Sequence, residues 1–400
     1  MKFETANLID FASFSQGLQV PIQHQFTEYS DDRKRFIRIV DITSGGNEPP
    51  RYIADPGERY FVNESDLFMI RYGSPQVAKG WEGVIANNLF KINLNSSNLN
   101  TKWLYYYLKQ DWVNQYLLGI SVSATMPAIS FKAFGALKVI YPPLPTQRKI
   151  ASILSAYDDL IENNLKRIKL LEEKTQLHYK ELMQEVSYSK TKREEYIKDC
   201  LAFYIGGGWG EEDYKEGFTE PAFVIRGTDI PDAKKGEVKG VPFRYHKESN
   251  LASRNMQAGD IVFEVSGGSK GQPVGRSILV TDKMLKQFGK PVMCASFCKM
   301  LRPNENVTPE FFYLYLLASH ENGVIAQYEK HSASNIVNYG FEEFIGEQKI
   351  TIPKESELKA FTEKVKPIFT LISTLGEQNS KLREARDILL PKLMNGQIEV

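Results

Sequence analysis

Two loops concentrate the side chains best suited to reading a nucleic acid. Arg71-Tyr72-Gly73-Ser74-Pro75-Gln76-Val77-Ala78-Lys79-Gly80-Trp81 sets cations and an amide among small residues, and the stretch from Ser266 to Arg276 does the same with Ser269, Lys270, Gln272 and Arg276. Arg, Lys, Gln, Asn and Ser pair with base edges in a groove or with the phosphates along its walls. A second polar loop follows each of these, Ser121-Val122-Ser123-Ala124-Thr125-Met126 and Lys330-His331-Ser332-Ala333-Ser334-Asn335. Taken singly, such loops read as solvated turns. Their recurrence at one place in a duplicated pattern makes them candidates. The candidate DNA contacts are Arg71, Tyr72, Ser74, Gln76, Lys79, Ser123 and Thr125 in the first half, and Ser269, Lys270, Gln272, Arg276, Ser334 and Asn335 in the second.

Other chemistries find less support. Phe203-Tyr204-Ile205-Gly206-Gly207-Gly208 offers a glycine-rich turn, but no alternating strand–helix pattern stands behind it as a nucleotide-binding loop needs. Ser266-Gly267-Gly268-Ser269-Lys270-Gly271 fails the phosphate-loop spacing. His24, His178, His246, His320 and His331 form no metal-ligand pattern and read as surface residues, and Asp158-Asp159 reads as a solvated pair. Cys200, Cys294 and Cys298 are too few for a disulfide framework and lack zinc spacing, which points to a reducing cytosol. A net charge of +1 excludes a globally basic chain but not local basic faces. Hydrophobic content of 42% with 25% charge is that of a globular protein, no apolar run approaches a membrane span, and MKFETANLID is not a signal peptide.

The elements that must carry these loops come in two copies. Leu8-Ile9-Asp10 with Phe14 and Gly17 matches Ile197-Lys198-Asp199 with Phe203 and Gly206. Arg38 to Ile42 matches Arg226 to Ile230, and Asp66-Leu67-Phe68-Met69 matches Asp260-Ile261-Val262-Phe263. Strands are expected at Tyr60–Val62, Asp66–Arg71, Gly83–Ala86 and Leu89–Leu94, then at Val224–Arg226, Asp260–Val265, Arg276–Val280 and Ala295–Leu301. One helix should follow in each copy, Lys102–Leu118 with Leu104, Tyr107, Leu108, Trp112 and Tyr116 on its inner face, and Pro309 to about His320.

Behind each copy lies a much longer helix. Pro142 to about Val186 carries a seam of Leu154, Tyr157, Ile161, Ile168, Leu171 and Leu182 at coiled-coil spacing, with charged residues on the other faces. Some 40 residues of it would make a rod on the order of 60 Å long. A constant offset maps Leu154, Tyr157, Ile161, Leu171 and Leu182 onto Val365, Ile368, Ile372, Leu382 and Leu393 in the helix after Pro353. Each seam holds one asparagine, Asn164 and Asn379. An antiparallel pairing with its axis near residue 166 sets them face to face and Ile168 against Leu375. The fold class expected is α+β: two pseudo-repeated domains joined by two long helices in an antiparallel coiled coil. The domains are 1–141 and 192–352, the helices 142–191 and 353–400.

The run Ala124-Thr125-Met126-Pro127-Ala128-Ile129-Ser130, followed by Leu137 to Ile150 (LKVIYPPLPTQRKI), is similar to the end of a target recognition domain running into the long helix of type I restriction–modification specificity subunits. Leu389 to Ile398 resembles that family's C-terminal ending, and Ile205-Gly206-Gly207-Gly208 the opening of a recognition domain. Ser15-Gln16-Gly17 departs from the triple glycine, and Lys354 to Lys359 lacks the Pro-Leu-Pro of the first helix start. The resemblance implies a non-catalytic DNA-reading subunit. Each recognition domain would read half of a bipartite double-stranded site, and the helices would set the spacing and dock two methylation subunits. S-adenosylmethionine would sit in those subunits, and ATP and Mg in restriction subunits where present, with no cofactor on this chain, in the cytoplasm of a prokaryote and away from membranes. The rival expectations are the recognition portion of a fused methyltransferase or restriction enzyme, a coiled-coil protein-binding scaffold, and a silent recombination cassette.

Overall fold

The computed structural model describes residues 3–44, 48–120, 128–188, 192–267, 274–331 and 337–400. The candidates Ser123, Thr125, Ser269, Lys270, Gln272, Ser334 and Asn335 lie outside the described residues. The chain forms two compact units, Met1–Asp159 with Glu384–Val400, and Leu160–Arg383. Mixed sheet and helix make up both. Among the described residues no helix is long and apolar enough to cross a membrane, and no cluster of His, Cys, Asp and Glu could hold a metal ion.

The first unit is built on an antiparallel sheet in the order Ala12–Gln16, Leu89–Leu94, Leu67–Ile70, Val77–Ala78. Leu67–Ile70 is buried at all four positions, because both faces of this central strand are covered and only an unbroken apolar run suits that place. A second sheet runs Arg51–Ala54, Arg33–Ile37, Gly83–Ile85, Phe61–Val62, with the middle pair parallel. Glu4–Asn7 pairs with Lys138–Tyr141. The core gathers Phe90, Trp103, Tyr106, Tyr107 and Phe134 with Leu154, Leu390 and Leu393 from the two long helices.

The single helix expected over Lys102–Leu118 is two, Thr101–Leu108 and Asp111–Gly119. Asn100 caps the first, its side chain accepting from Trp103 N at 3.0 Å. Gln110 turns to extended backbone (φ −67°, ψ 141°) and donates through Nε2 to Tyr107 O at 3.2 Å, while Asp111 opens the second helix where an anion suits the dipole. The break rotates Trp112 off the inner face, leaving it 44% exposed.

The second unit has the corresponding sheets: Leu201–Gly206, Cys298–Pro303, Ile261–Glu264, Ser277–Leu279 in one, and Phe243–His246, Glu220–Ile225, Val292–Cys294 in the other, the last pair again parallel. Arg193–Tyr196 pairs with Lys349–Ile352. The strand expected over Ala295–Leu301 starts only at Cys298, because Ser296-Phe297 form a turn. The helix expected from Pro309 runs Pro309–Glu321, with proline in its first turn.

The long helices span Leu144–Ser187 and Glu355–Met394. In the second unit Ile168, Leu182 and Val186 share a core with Leu358, Phe361, Val365, Ile368, Ile372 and Leu375. Ile161 is buried, and Leu171 and Leu382 are half-buried. Asn164 Nδ2 donates to Asn379 Oδ1 at 3.0 Å, with both residues buried. In the first unit Tyr157 is half-buried. Gly376, inside the second long helix, lies where a Cβ would collide with Lys235 O, so the turn after Ile230–Lys234 rests directly on helix backbone.

Three sequence readings need correction. Asp158 is no solvated residue: it accepts from Tyr106 Oη at 2.6 Å and from Arg386 Nη1 at 2.5 Å. Burial works to raise its pKa, but these two donors outweigh it and hold the carboxyl below its ordinary range. His246 is wholly buried rather than on the surface, and burial lowers its pKa. His320 is half-buried and shifted the same way for the same first cause.

Candidate nucleic-acid interface

In each unit the candidate loop leaves the central strand of the antiparallel sheet and returns as the edge strand. Backbone hydrogen bonds fix which residues correspond. Ile70 N donates to Gln76 O and Glu264 N to Arg276 O, each at 2.9 Å; Arg71 N donates to Asn88 O and Val265 N to Phe297 O, again at 2.9 Å. Ile70 therefore stands where Glu264 stands, Gln76 where Arg276 stands, and Asn88 where Phe297 stands. The pairing Phe68–Ala78 against Val262–Ile278 carries Lys79 to the position of Leu279. The basic residues of the two loops therefore do not correspond one to one: Arg276 answers to Gln76, and Lys79 to an apolar position.

Beneath the loops the frames coincide. Asp41 Oδ2 accepts from Arg38 N at 2.8 Å and Nε at 3.0 Å, and Asp229 Oδ2 from Arg226 N at 2.8 Å and Nε at 2.9 Å. Both arginines complete the fork through Nη2 to the other carboxylate oxygen, so each is bound to its own helix start. Asp66 accepts from Asn63 N, and Asp260 from Gln257 N, in the tight turns that launch the central strands. Gly17 N donates to Leu89 O at 3.0 Å and Gly207 N to Cys298 O at 2.9 Å. A Cβ at either glycine would collide with two carbonyl oxygens, of Ile85 and Ala86 or of Cys294 and Ala295. Nothing lies within 4 Å of a Cβ at Gly206, and Gly208 would make only ordinary contacts. One glycine of the three is required by geometry: Gly17 answers to Gly207 rather than to Gly206, its match in sequence, so Gln16-Gly17-Leu18 serves as well as the full triplet.

The described candidates are placed as follows. Arg71 donates through Nε to Ile129 O at 3.2 Å, with its guanidinium 5.2 Å from the Phe131 ring and 5.5 Å from that of Tyr72. Tyr72 is half-buried in a bridge to Ala128, and Ser74 and Gln76 are exposed. Lys79 is apart from them: its Nζ lies 4.7 Å from the ring centroid of Tyr105. In the second unit Arg276 lines a cavity of about 690 Å³ with Trp209, Arg226, Thr228, Glu264 and Phe297. Arg276 Nε donates to Glu264 Oε2 at 2.8 Å and Nη2 to Oε1 at 2.6 Å. That fork raises the arginine's pKa. Phe297 is 64% exposed, and the Arg244 guanidinium sits 4.6 Å from the centre of the Trp209 ring.

Glu264, Trp209 and Phe297 escaped the sequence reading because each comes from a different segment and none belongs to a polar loop. The interruption of an apolar strand by one acid, Ile261-Val262-Phe263-Glu264, is the signal that could have found Glu264.

Residues 65–173 match the family model of the type I restriction modification DNA specificity domain. Over 369 residues the chain is 26% identical to the type I restriction enzyme MjaIX specificity subunit of Methanocaldococcus jannaschii, covering 86% of this chain and 79% of that one. The MjaVIII specificity subunit of the same organism is 22% identical over 374 residues, covering 88% and 83%. Among solved structures, the S subunit of a type I restriction–modification system from M. genitalium superposes with a TM-score of 0.56 at 16% identity, covering 98% of this chain and 96% of that one, a likeness of fold.

Proposed function

We infer that the chain is a member of the type I restriction–modification specificity family, and that it is the non-catalytic subunit that recognises DNA sequence in such a system. One observation carries the reading: the two units repeat one hydrogen-bonded frame and differ at the positions around the loop mouths. A pseudo-symmetric frame with unlike faces suits an asymmetric site in two parts, as symmetric dimers suit palindromes. In this reading the chain is a duplicated recognition domain, and the long helices form an antiparallel coiled coil that sets the spacing of the half-sites. The loop residues Arg71, Tyr72, Ser74 and Gln76 face one half-site and Arg276 the other. Methylation subunits are the protein partners, and the methyl donor is theirs rather than this chain's. Leu160, Leu170 and Leu177 support a docking role for the central helix, being exposed apolar side chains on an otherwise charged surface.

The test is co-expression with a cognate methylation subunit and genome-wide mapping of modified bases. A bipartite motif is expected, and exchange of residues 1–141 for another family member's recognition domain should change one half of it only. Change in both halves would refute the division of labour.

A further inference from the structure

We infer that Arg276, clamped by Glu264, reads a guanine in the half-site of the second unit. The proposal rests on the DNA-reading function above and deepens it to one base.

Glu264 is 2% exposed, in a strand whose other three residues are buried and apolar. The fold itself has no need of an acid there, since the equivalent position in the first unit is Ile70, at 1% exposure. A second difference accompanies the first. At the position of Gly227 the first unit has Ile39, which packs on the cluster containing Ile70. A Cβ at residue 227 would collide with Glu264 Oε1. Glycine there makes room for the carboxylate, and isoleucine there covers an isoleucine. The third member of each set is the side chain that closes the loop, Gln76 in one unit and Arg276 in the other. Three positions thus differ together: Ile39, Ile70 and Gln76 against Gly227, Glu264 and Arg276.

A buried ion pair is weak evidence for stability, because desolvation opposes the attraction. What this one does is fix an orientation. The carboxylate takes Nε and one hydrogen of Nη2, leaving the outer Nη1–Nη2 edge of a guanidinium that has five donors in a planar fork. Arg276 keeps 27% of its side-chain surface exposed and lines the open cavity beside Phe297. A fixed pair of parallel donors matches the O6 and N7 acceptors that only guanine presents in the major groove, whereas an amide matches adenine's N6 and N7. By the same rule Gln76 in the first unit suits adenine.

The experiment selects bound sequences from a library of duplexes randomised across both half-sites, with the full chain in complex with its methylation subunits. Wild type should select a guanine at one position of the half-site that survives exchange of residues 1–141. Arg276→Ala should lower that preference by about 5- to 150-fold, and leave the other half-site unchanged. Because Arg276→Ala strands a buried carboxylate, the fold-safe variant is G227I/E264I/R276Q, which installs the first unit's own set. It should move the same position from guanine to adenine. A wild-type motif without guanine in that half, or guanine retained by both variants, overturns the proposal while leaving DNA reading intact. Selection of no motif by the wild-type complex overturns the DNA-reading function, and this proposal with it.

Discussion

The asparagine pair of the second unit permits an asymmetric prediction. Asn164 Nδ2 donates to Asn379 Oδ1 at 3.0 Å, and Asn379 Nδ2, wholly buried, has no hydrogen-bond partner among the described residues. Wild type thus carries one stranded donor at this place. Asn164→Leu would strand the Asn379 oxygen as well, adding a second unpaired group at about 1–3 kcal/mol. Asn379→Leu removes one stranded donor and creates another, on Asn164, so its polar balance is unchanged and its cost should stay within about 1 kcal/mol. The double variant strands nothing and should be at least as stable as wild type. Hydrogen exchange of the full chain, read over residues 160–175 and 372–383, reports local opening free energies without assuming that two units unfold together. Equal costs for the two single variants, or a double variant less stable than either, would refute the assignment of the stranded amide. An asparagine in a seam can also fix register, so slower cooperative closing of these segments in the double variant is a secondary expectation.

Three further outcomes are expected. In the first unit, Asp158→Ala leaves Arg386, 14% exposed, with Asp387 but without its 2.5 Å partner, and should cost about 1–3 kcal/mol in thermal or urea unfolding, with Asp158→Leu/Arg386→Met recovering most of the loss. Gly17→Ala and Gly207→Ala each press a methyl into two carbonyl oxygens and should destabilise their own unit by about 1–3 kcal/mol, whereas Gly206→Ala should be nearly neutral, as limited proteolysis would register. Burial lowers the pKa of His246 in the folded state, so the unfolded chain takes up its proton first as pH falls. The stability of the second unit should be full above about pH 6.5 and decline below it. His246→Phe should flatten that decline, leaving the part due to His320; an unchanged slope in pH-dependent unfolding would count against the assignment.

The long helices were legible because a seam repeats every few residues and needs no knowledge of the partner. The likeness of the two units was legible through short local landmarks such as Arg38-Ile39-Val40-Asp41 and Arg226-Gly227-Thr228-Asp229, whose ion pairs close within three residues. What escaped was set by residues far apart in the chain. Asp158 reads as solvated until Arg386, from the other long helix, is brought to it. His246 reads as exposed because its strand, Phe243–His246, carries Arg244 and sits at a sheet edge, yet its end is buried. Which loop residue answers to which was not legible, because the two loops differ in length, and only the ladder bonds of Glu264 and Ile70 count across them.

The same contrast explains how two alike frames can carry unlike loop surfaces. At Gly17 and Gly207 the requirement is backbone room, and no side chain satisfies it. At Asp41 and Asp229 it is a helix start plus a guanidinium, which few residues other than aspartate could serve. At the loop closure the frame asks only for an N–H and a C=O, which Gln76 supplies as well as Arg276. Positions whose structural duty is discharged by backbone are free to differ in side chain, as exposed Gln76 and cavity-lining Arg276 do. Substitution there changes what the surface offers a base while the ladder beneath keeps its bonds. The exception is Glu264, whose burial ties it to Gly227 and Arg276, so that these three positions can be exchanged only as a set.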